Sequence, residues 1–87
     1  MIIESFRGGD PLPVYRRFRD RGRLAPEGLR YLASWVTEDS RRCFQVMECD
    51  DPQLLAQWMA NWQDIVDFEA IPVRTSAEAA AALAPHL

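Results

Sequence analysis

Residues 49–59 read CDDPQLLAQWM, and residues 8–18 read GGDPLPVYRRF. Each stretch places an aspartate, Asp51 or Asp10, directly before a proline. An aspartate at this position accepts hydrogen bonds from the free N–H groups of a helix start, and proline suits the first helical position. The two stretches therefore predict two helix starts with the same local chemistry, one in each half of the chain.

Apolar stretches precede and follow each predicted helix, so the chain reads β-α-β twice. The predicted elements are a strand at 1–6, a helix at 11–21, strands at 29–37 and 42–49, a helix at 52–63, a strand at 65–73 and a short helix at 75–84. This order is the ferredoxin-like βαββαβ arrangement. We therefore predict a single α+β domain over 1–87, with a four-stranded antiparallel sheet, two helices on one face and a C-terminal helix. Trp58 and Trp62 lie on one stripe of the second helix and are expected to anchor the core.

Both faces of the predicted sheet carry apolar residues. A sheet with one wet face would alternate apolar and polar side chains, and these strands do not. Two helices can cover only one face, so a second copy of the chain is the simplest cover for the other. We therefore predict a homodimer of the dimeric α+β barrel type, with two sheets facing each other.

Aligning the two helix starts makes Glu4 correspond to Gln45 and Arg7 to Glu48. We expect the first and third strands to be the central, parallel pair, which would make each correspondence a pair of neighbours. Glu4 and Gln45 are then expected on the face away from the helices. The four residues form either a structural ion pair and a hydrogen bond across the dimer, or a polar cluster that lines a ligand cavity between the sheets. Trp35 is a core residue, an interface residue or a flat wall of that cavity.

The stretch YRRFRDRGR at 15–23 concentrates five arginines in nine residues. On a helical wheel they occupy nearly every direction except the core stripe of Val14, Tyr15, Phe18 and Gly22. Such a spread is typical of a solvated helix surface, and an anion site would use the helix N-terminus instead. Arg16 and Arg23 are predicted to face solvent, and the flanking Arg17 and Arg21 could pair with acids of a partner copy.

Charge and composition limit the function classes. The net charge of −3 argues against a nucleic-acid-binding protein. Residues 1–44 hold nine arginines against six acids, and residues 45–87 hold one against seven, so two copies could dock with complementary charge.

No secretory leader or membrane span is recognisable, which favours a cytoplasmic protein. Cys43 and Cys49 are too far apart in one strand for a disulfide, and no cluster has metal-ligand spacing. We therefore predict no metal and no cofactor.

The strings RFRDRGRLAPEGLRY, SWV, CFQVMECDDPQLL and WMANW resemble the small bacterial proteins of domain of unknown function 3303. The resemblance covers roughly residues 1–80. It implies no substrate, cofactor or catalytic residue. In fold it implies kinship with dimeric α+β barrels, which include cofactor-independent monooxygenases, stress-response proteins and lactone isomerases. Fold alone does not fix function.

Three functions remain open from the sequence. The first is a protein that binds a small, partly apolar molecule between the sheets. The second is a cofactor-independent enzyme on such a molecule, with general acid–base help from Glu4 or Glu48. The third is a structural dimer with a filled interior. An open cavity with polar lining and a carboxyl of shifted pKa would separate the first two from the third.

Overall fold

The computed structural model describes residues 1–87 and contains four strands and three α-helices in the order β-α-β-β-α-β-α. They are β1 (Ile2–Phe6), α1 (Leu12–Arg21), β2 (Arg30–Val36), β3 (Arg42–Glu48), α2 (Pro52–Ala60), β4 (Val66–Ala70) and α3 (Ser76–Leu83). Short 3-10 turns follow β1 and α3. The predicted order is confirmed, although several bounds shift by up to three residues. No helix has both the length and the apolar character that a bilayer span requires.

The four strands form one sheet in the order β2-β3-β1-β4, and every neighbouring pair is antiparallel. This confirms the ferredoxin-like α+β fold. The expected parallel pairing of β1 with β3 is wrong, because Ile2 lies opposite Gln45 and Glu4 lies opposite Cys43. Running in opposite directions, the two strands carry Arg7 and Glu48 to opposite ends of the sheet, so these two residues are not neighbours.

All three helices have side-chain hydrogen bonds at their starts, and Asp51 and Asp10 supply the predicted ones at α2 and α1. The Asp51 carboxylate accepts a hydrogen bond of 2.9 Å from a backbone N–H in the first turn of α2. Asp10 accepts one of 3.0 Å from the amide of Leu12, where α1 begins. Thr75 and Glu78 form the reciprocal capping box of α3, with hydrogen bonds of 3.1 and 3.2 Å. These bonds satisfy amides that the helices themselves leave without partners.

The core lies on one face of the sheet, beneath α2. Its seven buried apolar residues are Ile2, Phe6, Leu29, Cys43, Trp58, Trp62 and Val66. Trp58 is 2% exposed and Trp62 is 5% exposed, so the prediction that they anchor the core is confirmed. The residues of β1 that face this core are those at even positions, which include Glu4.

The opposite face of the sheet, here called the outer face, has no cover within the chain. Ile3, Phe44 and Val46 lie on it by strand alternation and are half-buried. Trp35 pairs with Phe44 across β2 and β3 and is 60% exposed. Seven of the eight residues of α3 are themselves exposed, so α3 covers neither face.

Candidate functional site

A cavity of about 130 Å³ lies between α1 and the core side of the sheet and is partly open to solvent. The cavity exists because α1 does not pack closely on the sheet, and none of its residues is buried. Val14, Tyr15 and Phe18 point from α1 into the cavity, as the predicted core stripe requires. Tyr15 and Phe18 nevertheless remain 47% and 45% exposed, so they form a rim rather than a sealed core.

Aromatic rings make up much of the wall. Phe6 and Tyr15 meet edge to face with their ring centroids 6.3 Å apart, a geometry that aromatic pairs prefer. Trp58 from α2 and Trp62 from the turn after it complete the wall together with Phe18. The cavity therefore offers flat apolar surfaces to a ligand.

The loop after α1 brings Arg23 to the cavity. Gly22 ends the helix with φ of +70° and ψ of −159°, a conformation that is essentially restricted to glycine. The next carbonyl, that of Arg23, accepts hydrogen bonds from the indole N–H groups of both Trp58 (3.1 Å) and Trp62 (2.9 Å). These bonds tie the loop to α2 and set the direction in which the Arg23 side chain leaves the backbone.

The Arg23 side chain is half-buried, which contradicts its predicted solvent-facing position. Its guanidinium lies 3.6 Å from the centroid of the Tyr31 ring and donates a 2.9 Å hydrogen bond to the side-chain oxygen of Gln45. The wheel that placed Arg23 outside extended the helix past Gly22. Because the backbone changes direction at Gly22, helical spacing no longer applies to Arg23.

Glu4 and Gln45 both face this cavity, so their expected location on the outer face is wrong. They share a face, as predicted, but as diagonal neighbours, since Glu4 is opposite Cys43. The apolar pattern left both faces of β1 equally suited to the core. In the structure, Trp58 and Trp62 pack with the even-numbered residues of β1, Ile2 and Phe6. Glu4 lies on the same side of the strand and therefore also faces the core.

The two polar residues differ in how their hydrogen bonds are satisfied. Gln45 is 3% exposed; it accepts from Arg23 and donates to the sulfur of Met47 at 3.1 Å. Glu4 is 8% exposed, and apart from the weak thiol donor of Cys43 no side chain donates a hydrogen bond to it. Glu4 therefore presents unused acceptor capacity to the cavity.

Burial governs the protonation of Glu4 and Cys43. Desolvation raises the pKa of Glu4 above its ordinary value, while the Cys43 thiol and the positive charge of Arg23 act in the opposite direction. Desolvation and the adjacent Glu4 raise the pKa of the Cys43 thiol to about 12, so it stays a neutral thiol. A buried carboxyl of raised pKa beside a cation is able to accept a hydrogen bond or a proton from a bound molecule.

The match to known proteins agrees with the sequence strings described above. The family model for domain of unknown function 3303 matches residues 1–87. The chain belongs to this family. Neither a curated protein nor a solved structure matches it. The family description assigns no activity, so the geometry of this family member must carry the functional argument.

The other predicted site residues lie away from the cavity. Arg7 pairs with Asp67 at 3.3 Å, and Glu48 contacts Arg30 at the far end of the sheet. Both pairs are exposed, and Trp35 lies on the outer face. None of the three lines the cavity, so the structure brings together only Glu4 and Gln45 of the five predicted residues.

The arginines of α1 lie on the surface, and one of them, Arg17, bonds to the loop after α2. Arg16 is exposed, as predicted. Arg17 forms a two-pronged ion pair with Asp64 of its own chain, at 2.8 and 2.7 Å, and also donates to the carbonyl of Asn61 at 2.8 Å. Arg17 therefore has an acid partner in its own chain, supplied by the loop after α2, and pairing of Arg17 or Arg21 with a partner's acid stays a prediction.

Sequence reasoning missed Arg23 as a cavity residue. A usable signal was present, since Gly22 directly follows the predicted helix at 11–21, and glycine commonly ends a helix. The sequence places Cys43 on the same face as Glu4 and Gln45, but its position directly opposite Glu4 depends on the antiparallel pairing. In a ferredoxin-like sheet the βαβ crossovers join strands that are not adjacent, which makes β1 and β3 antiparallel.

Proposed function

We propose that this protein binds a small, partly apolar molecule in the cavity between α1 and the sheet. The observation that carries the proposal is Glu4, a residue 8% exposed whose carboxyl faces an aromatic cavity with the Cys43 thiol as its only side-chain hydrogen-bond donor. A largely buried carboxyl without a strong donor is costly to stability unless solvent or a ligand reaches it through the cavity. A structural core would have replaced or paired it, whereas a ligand-binding cavity uses a few such groups to orient its ligand.

The proposed ligand site lies on the core side of each chain, whereas the sequence suggested a site between two sheets. Glu4 and Gln45, which pointed to the site between the sheets, line the cavity on the core side. The cavity combines one acid, one amide and one guanidinium with aromatic walls, the usual composition of a small-molecule site.

The protein is further proposed to be a homodimer that pairs through the outer face. This face presents Trp35 at 60% exposure beside the half-buried Phe44 and Val46, with Leu32 at 53% exposure in the neighbouring bulge of β2. Apolar surface of this kind gains free energy when it is removed from water. A second copy also brings an acidic C-terminal half to an arginine-rich N-terminal half. The ligand cavity and the dimer face then lie on opposite sides of one sheet.

A reducing compartment, the cytoplasm, is the proposed location. Both cysteines are free thiols, and Cys43 is part of the core. Small proteins of oxidising compartments more often use cysteines in disulfides.

A second candidate is a cofactor-independent enzyme, and the raised pKa of Glu4 favours it. A carboxyl whose pKa is raised by burial takes a proton from a ligand more readily and can return it, which is general acid–base catalysis. Arg23 is close enough to stabilise negative charge that develops on the ligand. Binding is a precondition of this activity, so the same first experiment serves both candidates.

The experiment is a binding titration with toluene, which is a one-ring apolar probe. Trp58 and Trp62 line the cavity, so their fluorescence reports on it once Trp35→Phe removes the signal of the outer face. Saturable quenching is expected. Val14→Phe should abolish it by filling the cavity, whereas Leu12→Phe, on an exposed position of the same helix, should not. Binding that survives Val14→Phe in a folded protein, or no binding at all, contradicts the proposal.

A further inference from the structure

We infer that the ligand of the cavity is a one-ring aromatic molecule that carries a neutral O–H or N–H donor, with phenol as its simplest form. This inference rests on the proposed function, because it specifies the chemistry of a molecule in the same cavity. Size, wall chemistry and charge each restrict the ligand independently.

The size of the cavity restricts the ligand to about one ring. The space measures about 130 Å³, and an engineered apolar cavity of about 150 Å³ in another protein holds benzene. A fused two-ring system would have to extend out past Tyr15 and Phe18, the half-exposed rim. The part of the ligand that contacts Glu4 is therefore a single ring or a group of that size.

The wall favours a flat ring over an aliphatic chain. Phe6, Tyr15, Phe18 and Trp62 line the cavity from β1, from α1 and from the turn after α2. Aromatic pairs gain about 0.5–1.5 kcal/mol beyond the burial of their area when they meet edge to face or offset. A planar ligand ring can make such contacts with several of these side chains at once.

The hydrogen-bonding groups of the cavity define the polar end of the ligand. Gln45 already accepts from Arg23 and donates to Met47. Ser34 shares a 2.7 Å hydrogen bond with the hydroxyl of Tyr31. Glu4 is left as the acceptor without a strong donor, and an ionised carboxylate only accepts. The ligand group that meets Glu4 must therefore be a donor.

Charge restricts that donor to a neutral one. A cationic group would be repelled by the guanidinium of Arg23, which is fixed over Tyr31 and bonded to Gln45. An anionic group would be repelled by the Glu4 carboxylate unless Glu4 first took up a proton. A hydroxyl or neutral amino group satisfies Glu4 without either repulsion.

The test compares phenol, toluene and benzoate, which share one ring and differ in the attached group. Dissociation constants are measured by tryptophan fluorescence in the Trp35→Phe protein, then in the same protein with Glu4→Leu. A hydrogen bond to a charged group corresponds to about tenfold or more in affinity. Phenol should therefore bind about tenfold tighter than toluene, and Glu4→Leu should remove this preference while toluene still binds. Glu69→Gln, an exposed acid of β4 on the outer face, should leave the preference unchanged.

The outcomes separate the ligand class from the site. Equal affinity for phenol and toluene, or tighter binding of benzoate, overturns the inference and leaves the cavity as a ligand site. Failure of all three probes to bind overturns both the inference and the proposed function. If Glu4→Leu fails to fold, Glu4→Gln serves in its place, since it keeps the size of the side chain and removes its charge. In that variant the preference for phenol should fall, and an unchanged preference would overturn the role of Glu4.

Discussion

Two tryptophan indoles, one in α2 and one in the turn after it, bond to a single carbonyl at one side of the cavity. Trp58 and Trp62 both donate to the carbonyl of Arg23, which fixes the loop after α1 without drawing α1 onto the sheet. Trp58 also packs against Phe68 with ring centroids 5.5 Å apart. Its removal would leave a cavity in the core and would free one of the two bonds that position Arg23.

We expect Trp58→Ala to lower the free energy of unfolding by about 3–5 kcal/mol, the range for truncation of a buried tryptophan. Urea denaturation followed by circular dichroism measures the change. Gln57→Ala, an exposed position of the same helix, is the control and should change stability by less than about 0.5 kcal/mol. A Trp58→Ala protein as stable as this control would mean that Trp58 is not a core anchor.

Asp64 links stability to pH through its ion pair with Arg17. The guanidinium lowers the pKa of Asp64 to about 2, from an ordinary aspartate value of about 4. A lowered pKa in the folded state means that the pair stabilises the protein above pH 4 and loses this effect as the pH falls toward 2. The pair is exposed on the Asp64 side, so the effect should be small.

Thermal unfolding between pH 6 and pH 2 tests this linkage. The parent should lose more stability than Asp64→Asn between about pH 4 and pH 2, because the variant has no carboxyl to protonate at this position. Asp50→Asn, at an exposed aspartate without an ion-pair partner, should follow the parent curve. Parallel curves for the parent and Asp64→Asn would show that the ion pair does not form in solution.

Helix starts were predictable from the sequence because their chemistry is local. Asp51 and Asp10 each accept a bond from an amide two residues ahead, and the same four or five residues encode the signal. The capping box of α3 is equally local, since it joins Thr75 to Glu78 three residues ahead. Strand faces were not predictable in this way, since both parities of β1 are apolar and only the packing of α2 decides between them. The sense of the β1–β3 pair also depends on crossovers between distant elements, and an error there displaced the predicted site.

The turn at Gly22 connects α1 to the cavity and gives a direct test of the loop geometry. A side chain at its φ of +70° and ψ of −159° is strained, at a cost of about 1–3 kcal/mol. Gly22→Ala should therefore lower the free energy of unfolding by about that amount, measured by urea denaturation. Arg21→Ala, one residue earlier in the exposed end of α1, should have little effect. Equal stability of the two variants would contradict the described turn.

In the chain as a whole, α1 and α2 lie on one side of the sheet and the other side has no cover within the chain. A chain of 87 residues buries a smaller share of its surface than larger domains do. On the outer face, its most exposed apolar residue is Trp35 of β2. A second copy placed there would enlarge the core without disturbing the cavity beneath α1.

Light scattering at micromolar concentration should give twice the chain mass of 10.0 kDa. Trp35→Glu should return the mass of one chain, because it places a charge at the centre of the proposed interface. Leu12→Glu adds the same charge at an exposed apolar position of α1 and should leave the dimer intact. A parent protein with the mass of one chain would rule out the dimer.

The location of the ligand on the core side of the sheet is the central claim, and the three tryptophan indoles test it together. In a two-dimensional ¹H–¹⁵N NMR spectrum each indole N–H gives its own cross-peak. The cross-peaks of Trp58 and Trp62 report on the cavity, and the cross-peak of Trp35 reports on the outer face. Titration with phenol should shift the Trp58 and Trp62 peaks saturably and leave the Trp35 peak in place. A saturable shift of the Trp35 peak with the other two unchanged would instead put the ligand on the outer face and contradict the account.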